Sequence, residues 1–169
     1  MLMKLTGFVL IILCGGSAGL YISKRIGEKT EFISQYISFL TQAEAMITFA
    51  GSDIRYILNN VKSIPLMDHM INDTLDYLNN NYDFCSAWEK SVHAAYSRKE
   101  FEKEDLSLLL AFGVGFGEQG TDEEILKIKL NISNVSERLK IRKNDNETKM
   151  KLYKTLGTFS GAIIAVLLV

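Results

Sequence analysis

The chain has 169 residues, the length of one ordinary domain, and a net charge of −1 at pH 7. This balance argues against a clustered basic face that would bind nucleic acid. The two cysteines of the chain, Cys14 and Cys85, provide neither a disulfide framework nor a metal-ligand set. Of the 39 Lys, Arg, Asp and Glu residues, all except Lys4 lie between Lys24 and Lys154. Both ends are therefore apolar, and the middle is charged.

The first apolar stretch, residues 5–23, contains no charged side chain. A helix of roughly 17–25 such residues can cross a bilayer, so we predict an N-terminal transmembrane helix over residues 1–23. A cleaved signal peptide is the alternative, because Lys4 supplies a basic start and residues 17–19 a possible cleavage site. A lipoprotein signal is disfavoured, because Leu13 precedes Cys14 where a small residue is expected.

The second apolar stretch, residues 155–169, predicts a C-terminal transmembrane helix. A helix buried in a soluble core is the alternative, but residues 162–169 are apolar on every side and leave no face for water. Basic residues flank both stretches on the side of the middle segment, residues 24–154, and the positive-inside rule places that segment in the cytoplasm. The predicted location is a cell membrane.

Two pairs of glycines, each pair four residues apart, lie in these stretches. Glycines at this spacing share one helix face and allow two backbones to approach closely. Gly15 with Gly19, and Gly157 with Gly161, are therefore candidate transmembrane packing residues, with chance occurrence as the alternative.

The middle segment has helical periodicity throughout and predicts an all-α protein, an antiparallel bundle of about six helices. In the first helix Gln35 and Gln42 are assigned to the outward face, and Gly51 ends the helix. Ser52 is predicted to cap the second helix. The apolar residues of the first helix recur every three or four positions, at Phe32, Ile33, Tyr36, Ile37, Leu40, Ala43 and Ile47.

The next three helices begin at recognisable signals. Pro65 fits the first turn of the third helix, and Asp83 caps the fourth, in which Trp88 is the expected core anchor. The acidic residues of segment 100–105 open the fifth helix, because a helix N-terminus carries partial positive charge.

The segment "FGVGFGEQGTDEE", residues 112–124, leads into the sixth helix. Thr121 and Glu124, at the end of this segment, form a capping box that starts the helix. Its apolar seam then weakens over residues 140–149, so either one continuous helix runs from residue 121 to 169 or a hinge interrupts it there. The seam steps by three and four at Ile125, Ile128, Ile132, Val135 and Leu139.

No catalytic, cofactor-binding or metal-binding set emerges from the sequence, and His69 and His93 are isolated from acids and cysteines at ligand spacing. The alternative is a membrane-anchored enzyme that uses the glycine-rich and acidic loop 113–124, although no strand precedes the loop and no Gly-Lys-Ser/Thr follows. The acidic loop is instead the candidate partner contact, through Gly117, Glu118, Asp122, Glu123 and Glu124.

Several segments together resemble the stage III sporulation protein AB family of endospore-forming bacteria. They are "MKLTGFVLII", "SKRI", "FCSAWEKSV", "DLSLLLAFGVGFGEQGTDEE" and "KLYKTLGTFSGAIIAVLLV". The chain departs from the family pattern after Phe116, where extra residues precede Thr121, and at Leu126, where the family has a glutamine.

The resemblance implies a helical domain similar to that of the inner-membrane platform proteins of type II secretion and type IV pilus systems. It implies a non-enzymatic scaffold in the mother-cell membrane around the forespore, as part of a secretion-like channel complex. The partners implied are the ATPase stage III sporulation protein AA and other stage III channel components, with no nucleic acid, no small-molecule substrate and no cofactor.

Overall fold

The structure is a computed structural model that describes the backbone of residues 2–116 and 120–167 and the side chains of residues 17–116, 120–153 and 155–156. Over these residues it contains helices, turns and no strand, which confirms the all-α prediction. The α-helices are α1 (Leu2–Ala50), α2 (Ile54–Asn60), α3 (Asp68–Asn79), α4 (Phe84–Ser97), α5 (Leu106–Gly113) and α6 (Thr121–Leu167). Short 3₁₀ helices at Pro65–Met67 and Lys103–Asp105 precede α3 and α5.

The helices divide into two compact units. The core unit is Lys29–Lys140, and the terminal unit combines Met1–Glu28 with Ile141–Val169. The predicted domains, 1–23, 24–154 and 155–169, stay a prediction.

The core unit is built around aromatic rings from three helices. Trp88 of α4 is fully buried and stacks on Phe39 of α1 with ring centroids 5.6 Å apart. Phe112 of α5 meets Trp88 edge-on at 5.0 Å and Phe39 at 5.1 Å. Buried aromatic side chains remove large areas from water and pack well in such edge-on and offset arrangements. Trp88 is therefore the core anchor that the sequence predicts.

The end of α1 is determined by Gly51, as predicted. Gly51 has a φ of +56°, in the left-handed region that glycine occupies without strain. Its amide donates to the carbonyl of Ile47, which is the αL pattern of a helix end, and the amide of Ser52 donates to the carbonyl of Met46. The cap of α2 was predicted one residue too early, because the carboxylate of Asp53, and not Ser52, accepts the amide of Tyr56 at 2.7 Å.

The starts of α3, α4 and α5 follow the predicted signals with one adjustment. Pro65 and the acidic segment before α5 open short 3₁₀ helices, and the α-helices follow at Asp68 and Leu106. Asp83 caps α4 as predicted, since its carboxylate accepts the amide of Ser86 at 3.0 Å. That backbone hydrogen bond lowers the pKa of Asp83 below its ordinary value.

The last helix begins at Thr121 and is continuous to Leu167, which confirms the continuous-helix alternative over this range. The capping residue differs from the prediction. The amide of Glu124 donates to the carbonyl of Gly120, so Gly120 occupies the position that was predicted for Thr121. Glycine is among the residue types that occur often at an N-cap, where the backbone angles are not helical.

The terminal unit pairs parts of α1 and α6. A Cβ atom added at Gly27 would lie 3.9 Å from Cε of Met150, which is ordinary contact distance. Three polar residues of this unit, Ser23, Arg142 and Asn146, are buried. The pairing of these two helices is therefore partly polar.

The predicted membrane location requires a correction. Among residues 17–116, 120–153 and 155–156, no helix is both long and apolar enough to cross a bilayer. The described side chains of α1 reach Lys24 after seven uncharged residues, and those of α6 include Lys149 and Lys151. This finding contradicts the predicted placement in the mother-cell membrane through two transmembrane helices with a cytoplasmic middle. Most of the two predicted spans, 1–23 and 155–169, lies outside the residues whose side chains are described.

Candidate functional site

A small pocket lies between the end of α5, the turn that follows it and the first half of α6, entirely within the core unit. We call it the α5–α6 pocket. Its cavity volume is about 10 Å³, which is room for one water-sized group. Its walls include Phe112, Val114, Phe116, Glu124, Lys127 and Asn131.

The polar group in this pocket is Asn131, whose orientation is determined by Tyr36. The Tyr36 hydroxyl donates its single hydrogen to the carbonyl of Leu108 at 3.2 Å, so it can only accept from Asn131. Asn131 Nδ2 supplies that donor at 3.0 Å. The amide oxygen Oδ1 must therefore point away from Tyr36, and it is buried without a hydrogen-bond partner.

The hydroxyl of Tyr36 is fully buried, and burial raises its pKa far above the ordinary value near 10, although the hydrogen bond from Asn131 acts in the opposite direction. The neutral form is therefore the form that the folded protein holds. Because the pKa is higher in the folded than in the unfolded state, this contribution to stability is complete below about pH 10 and is lost as the pH rises above it.

Replacing Tyr36 with phenylalanine is expected to lower the free energy of unfolding by about 1–2 kcal/mol at pH 7, because the Leu108 carbonyl and Asn131 Nδ2 lose their partner. Urea unfolding followed by circular dichroism at pH 7 and at pH 10.5 measures this. The difference between wild type and Tyr36→Phe should shrink at the higher pH. A difference that grows with pH contradicts the assignment.

The wall that α5 provides is held in place by Trp88. The indole Nε1 donates to the carbonyl of Leu109 at 2.7 Å. A Cβ added at Gly113 would lie only 2.7 Å from Cδ1 of the same ring, so α5 lies directly against the indole at this glycine. Gly113, which the enzyme alternative placed in the glycine-rich loop 113–124, is thus a packing residue.

A buried carboxylate lies at the other end of α5. Asp105 is fully buried, accepts the amide of Glu102 at 3.1 Å and lies 3.8 Å from Nε of Arg138 on α6. Asp105 therefore links the start of α5 to α6, while Asn131 and Tyr36 link its middle to α6 and α1.

The candidate partner residues divide into three groups. Gly117 and Glu118 lie outside the described residues. Asp122 and Glu123 are exposed in the first turn of α6. Glu124 is half-buried and lines the α5–α6 pocket. The structure thus brings the predicted acidic turn next to a pocket that the sequence did not predict.

The candidate transmembrane packing glycines lie on α1 and α6. Gly19 is buried, whereas the surroundings of Gly15, Gly157 and Gly161 lie outside the described side chains. Their role in helix packing stays a prediction.

Asn131 and Tyr36 are the site residues that sequence reasoning did not identify. Tyr36 was assigned only to the core. Asn131 was not assigned at all, although it lies three residues after Ile128 and four before Val135, on the face that both bury. This spacing is the signal that could have located it, because a polar residue in an apolar seam needs a buried partner.

The comparisons with known proteins give one match. A sequence model of the stage III sporulation protein AB family matches residues 4–169. No curated protein and no solved structure matches the chain. The matched family is one of sporulation proteins and is not a known enzyme family, and it implies a role in stage III of sporulation. Because the match covers nearly every residue, the chain belongs to the stage III sporulation protein AB family.

Proposed function

We propose that the protein is a non-enzymatic scaffold of a secretion-like complex that operates in stage III of sporulation. In this proposal it binds the ATPase stage III sporulation protein AA, and the first turn of α6 contributes to the contact. The observation that carries the proposal is the exposed acidic pair Asp122 and Glu123, which lies beside the α5–α6 pocket at the start of a helix anchored in the core.

The anchoring of α6 supports a docking role. On its inner face Ile128, Asn131 and Val135 are buried, and Asp105 contacts Arg138 one turn further on. The start of α6 is therefore attached to a well-packed body, and a partner that binds there needs to order little additional structure.

The charge of the first turn supports a basic partner surface. Asp122, Glu123 and Glu124 are consecutive acids at a helix N-terminus, where the helix macrodipole favours negative charge. Exposed charges of this kind direct association more than they increase affinity, and added salt screens them.

The test replaces Asp122 with asparagine and Glu123 with glutamine in the full chain, which removes charge at nearly constant size. We expect binding to purified stage III sporulation protein AA to weaken about tenfold at low salt, since loss of two interface charges is worth about 1–2 kcal/mol. The measurement is a titration by biolayer interferometry at low and at high salt.

The matched control replaces Asp68 and Asp76, two exposed acids of α3, with asparagine. This variant has the same net charge as the first and should bind as wild type does. The proposed contact is wrong if both variants weaken binding equally, and the proposed partner is wrong if the wild type does not bind.

A further inference from the structure

A second cavity lies in the core unit, where α1 meets the end of α4 and the segment between α4 and α5. We call it the lysine cleft. Its volume is about 440 Å³, within the roughly 300–1,000 Å³ that is typical of ligand sites. Its walls include Lys29, Tyr96, Lys99, Phe101 and Lys103. Unlike the α5–α6 pocket, it has room for a group of many atoms.

The three lysines of the cleft come from three separate elements. Lys29 is on α1, Lys99 is in the turn after α4, and Lys103 opens the short helix before α5. None of the three forms an ion pair with a residue whose side chain the structure describes. Lys129 of the same unit, in contrast, pairs with Glu44 at 3.5 Å. Cations that line one cleft without such pairing favour an anionic ligand.

The backbone of Lys99 is a second, independent observation. Its φ is +62°, in the left-handed region where a residue with a Cβ is strained and glycine is not. The amide of Lys99 donates to the carbonyl of Tyr96 and that of Glu100 to the carbonyl of Ala95, the Schellman pattern, in which this position is usually glycine. Arg98 already places a cation at this helix end. A lysine at a strained position beside a cleft indicates a role for its side chain.

The remaining walls restrict the chemistry of the anion. Tyr96 and Phe101 provide an apolar wall, with ring centroids 5.9 Å apart, and the exposed Glu104 adds a carboxylate. An ionised phosphate group has only acceptors and would meet Glu104 with like charge. An acidic polypeptide has carboxylates for the lysines, methylene groups for the rings and backbone N–H groups for Glu104. The polypeptide therefore fits the mixed walls better.

We propose that the lysine cleft binds the side-chain carboxylates of an acidic segment from a partner protein. The chain then has two charged surfaces of opposite sign, the basic cleft before α5 and the acidic first turn of α6 after it. The inference goes beyond the proposed function, because the cleft shares no residue with the first turn of α6 and does not depend on the ATPase.

The experiment measures binding of the full chain to two rhodamine-labelled peptides by fluorescence anisotropy at low salt. The peptides are Gly-Asp-Glu-Asp-Glu-Gly and its neutral version Gly-Asn-Gln-Asn-Gln-Gly. We expect the neutral peptide to bind at least about tenfold more weakly. Lys103→Gln should weaken binding of the acidic peptide about threefold, and Glu104→Gln should tighten it about threefold, in the range of exposed charge pairs. General destabilisation would not produce opposite effects at adjacent residues.

Lys99→Gly separates binding from folding. Glycine relieves the strained backbone, so the Tm should rise by about 3 °C, while affinity for the acidic peptide falls about threefold. Ser63→Gly is the matched control, because Ser63 is exposed, has a φ of +63° and does not line the cleft. It should raise the Tm by a similar amount and leave affinity unchanged.

The inference is overturned if the two peptides bind equally, if the acidic peptide does not bind, or if Lys99→Gly binds it as tightly as wild type does. Inorganic phosphate is added as a competitor. If phosphate displaces the acidic peptide at a concentration comparable to that of the peptide, the cleft accepts a phosphate group and the inference is wrong.

Discussion

Replacing Trp88 with alanine is expected to lower the free energy of unfolding of the core unit by about 3–5 kcal/mol, the range for truncating a fully buried large aromatic side chain. Trp88 is 0% exposed and contacts the rings of Phe39, Phe84 and Phe112. The substitution also removes the hydrogen bond to the Leu109 carbonyl. Because a typical domain is stable by only about 5–15 kcal/mol, most of the stability is at risk.

Urea unfolding followed by circular dichroism measures this effect, since the variant lacks the chain's single tryptophan and fluorescence would not be comparable. Tyr56→Ala is the control, because Tyr56 is an aromatic residue that is 55% exposed. Its replacement should cost about 0.5 kcal/mol or less. Equal losses in the two variants would show that Trp88 is not the centre of the core.

Replacing Gly113 with alanine is expected to lower the free energy of unfolding by about 3 kcal/mol, the upper part of the range for overpacking. Helix propensity alone predicts the opposite sign, a gain of about 1 kcal/mol, since alanine is the better helix former. The steric term dominates because the new Cβ would lie 2.7 Å from Cδ1 of Trp88 and 3.2 Å from its Cβ and Cγ. These atoms belong to a fully buried side chain that cannot move aside easily.

Two controls separate the steric effect from the helical one. Gly27→Ala places a Cβ at ordinary contact distance, 3.9 Å from Met150, and should be neutral or stabilising. In a Trp88→Ala background, Gly113→Ala should destabilise far less, because Cδ1 and Cγ are gone and only the Cβ of residue 88, 3.2 Å away, remains. If Gly113→Ala costs as much without the indole as with it, the contact does not explain the glycine.

The sequence was sufficient for the helices because their signals are local. Gly51, Asp83 and the apolar spacing around Trp88 act within one or two turns, and the structure confirms them. The errors at Ser52 and Thr121 are shifts of one residue, which arise because both residues of each adjacent pair, Ser52–Asp53 and Gly120–Thr121, are of types that occur at N-caps.

Glutamines on α1 show what local signals cannot predict. Gln35 was assigned to the outward face, yet it is buried and its Oε1 accepts the amide of Leu66 at 2.9 Å. Gln42 was also assigned outward, and it accepts the amide of Lys62 at 2.9 Å and donates to the carbonyl of the same residue at 3.0 Å. Both bind backbone groups of the segment between α2 and α3, whose position depends on the whole core unit.

The candidate site was predicted only in part, because some of its residues meet through contacts between distant parts of the chain. The acidic turn at Asp122 and Glu123 is visible in the sequence as a run of acids. The pocket beside it requires Asn131 and Tyr36, which are 95 residues apart in the chain. Only the folded structure brings these two residues together.

The buried polar residues of the terminal unit restrict how its two helices can slide along each other. An axial slip by one turn, about 5.4 Å, would move Ser23, Arg142 and Asn146 past their present neighbours and Gly27 away from Met150. A buried polar group that loses its partner in such a slip carries a cost that an apolar side chain would not incur. We therefore expect the pair to prefer its present register, as a coiled coil acquires a register from one buried asparagine.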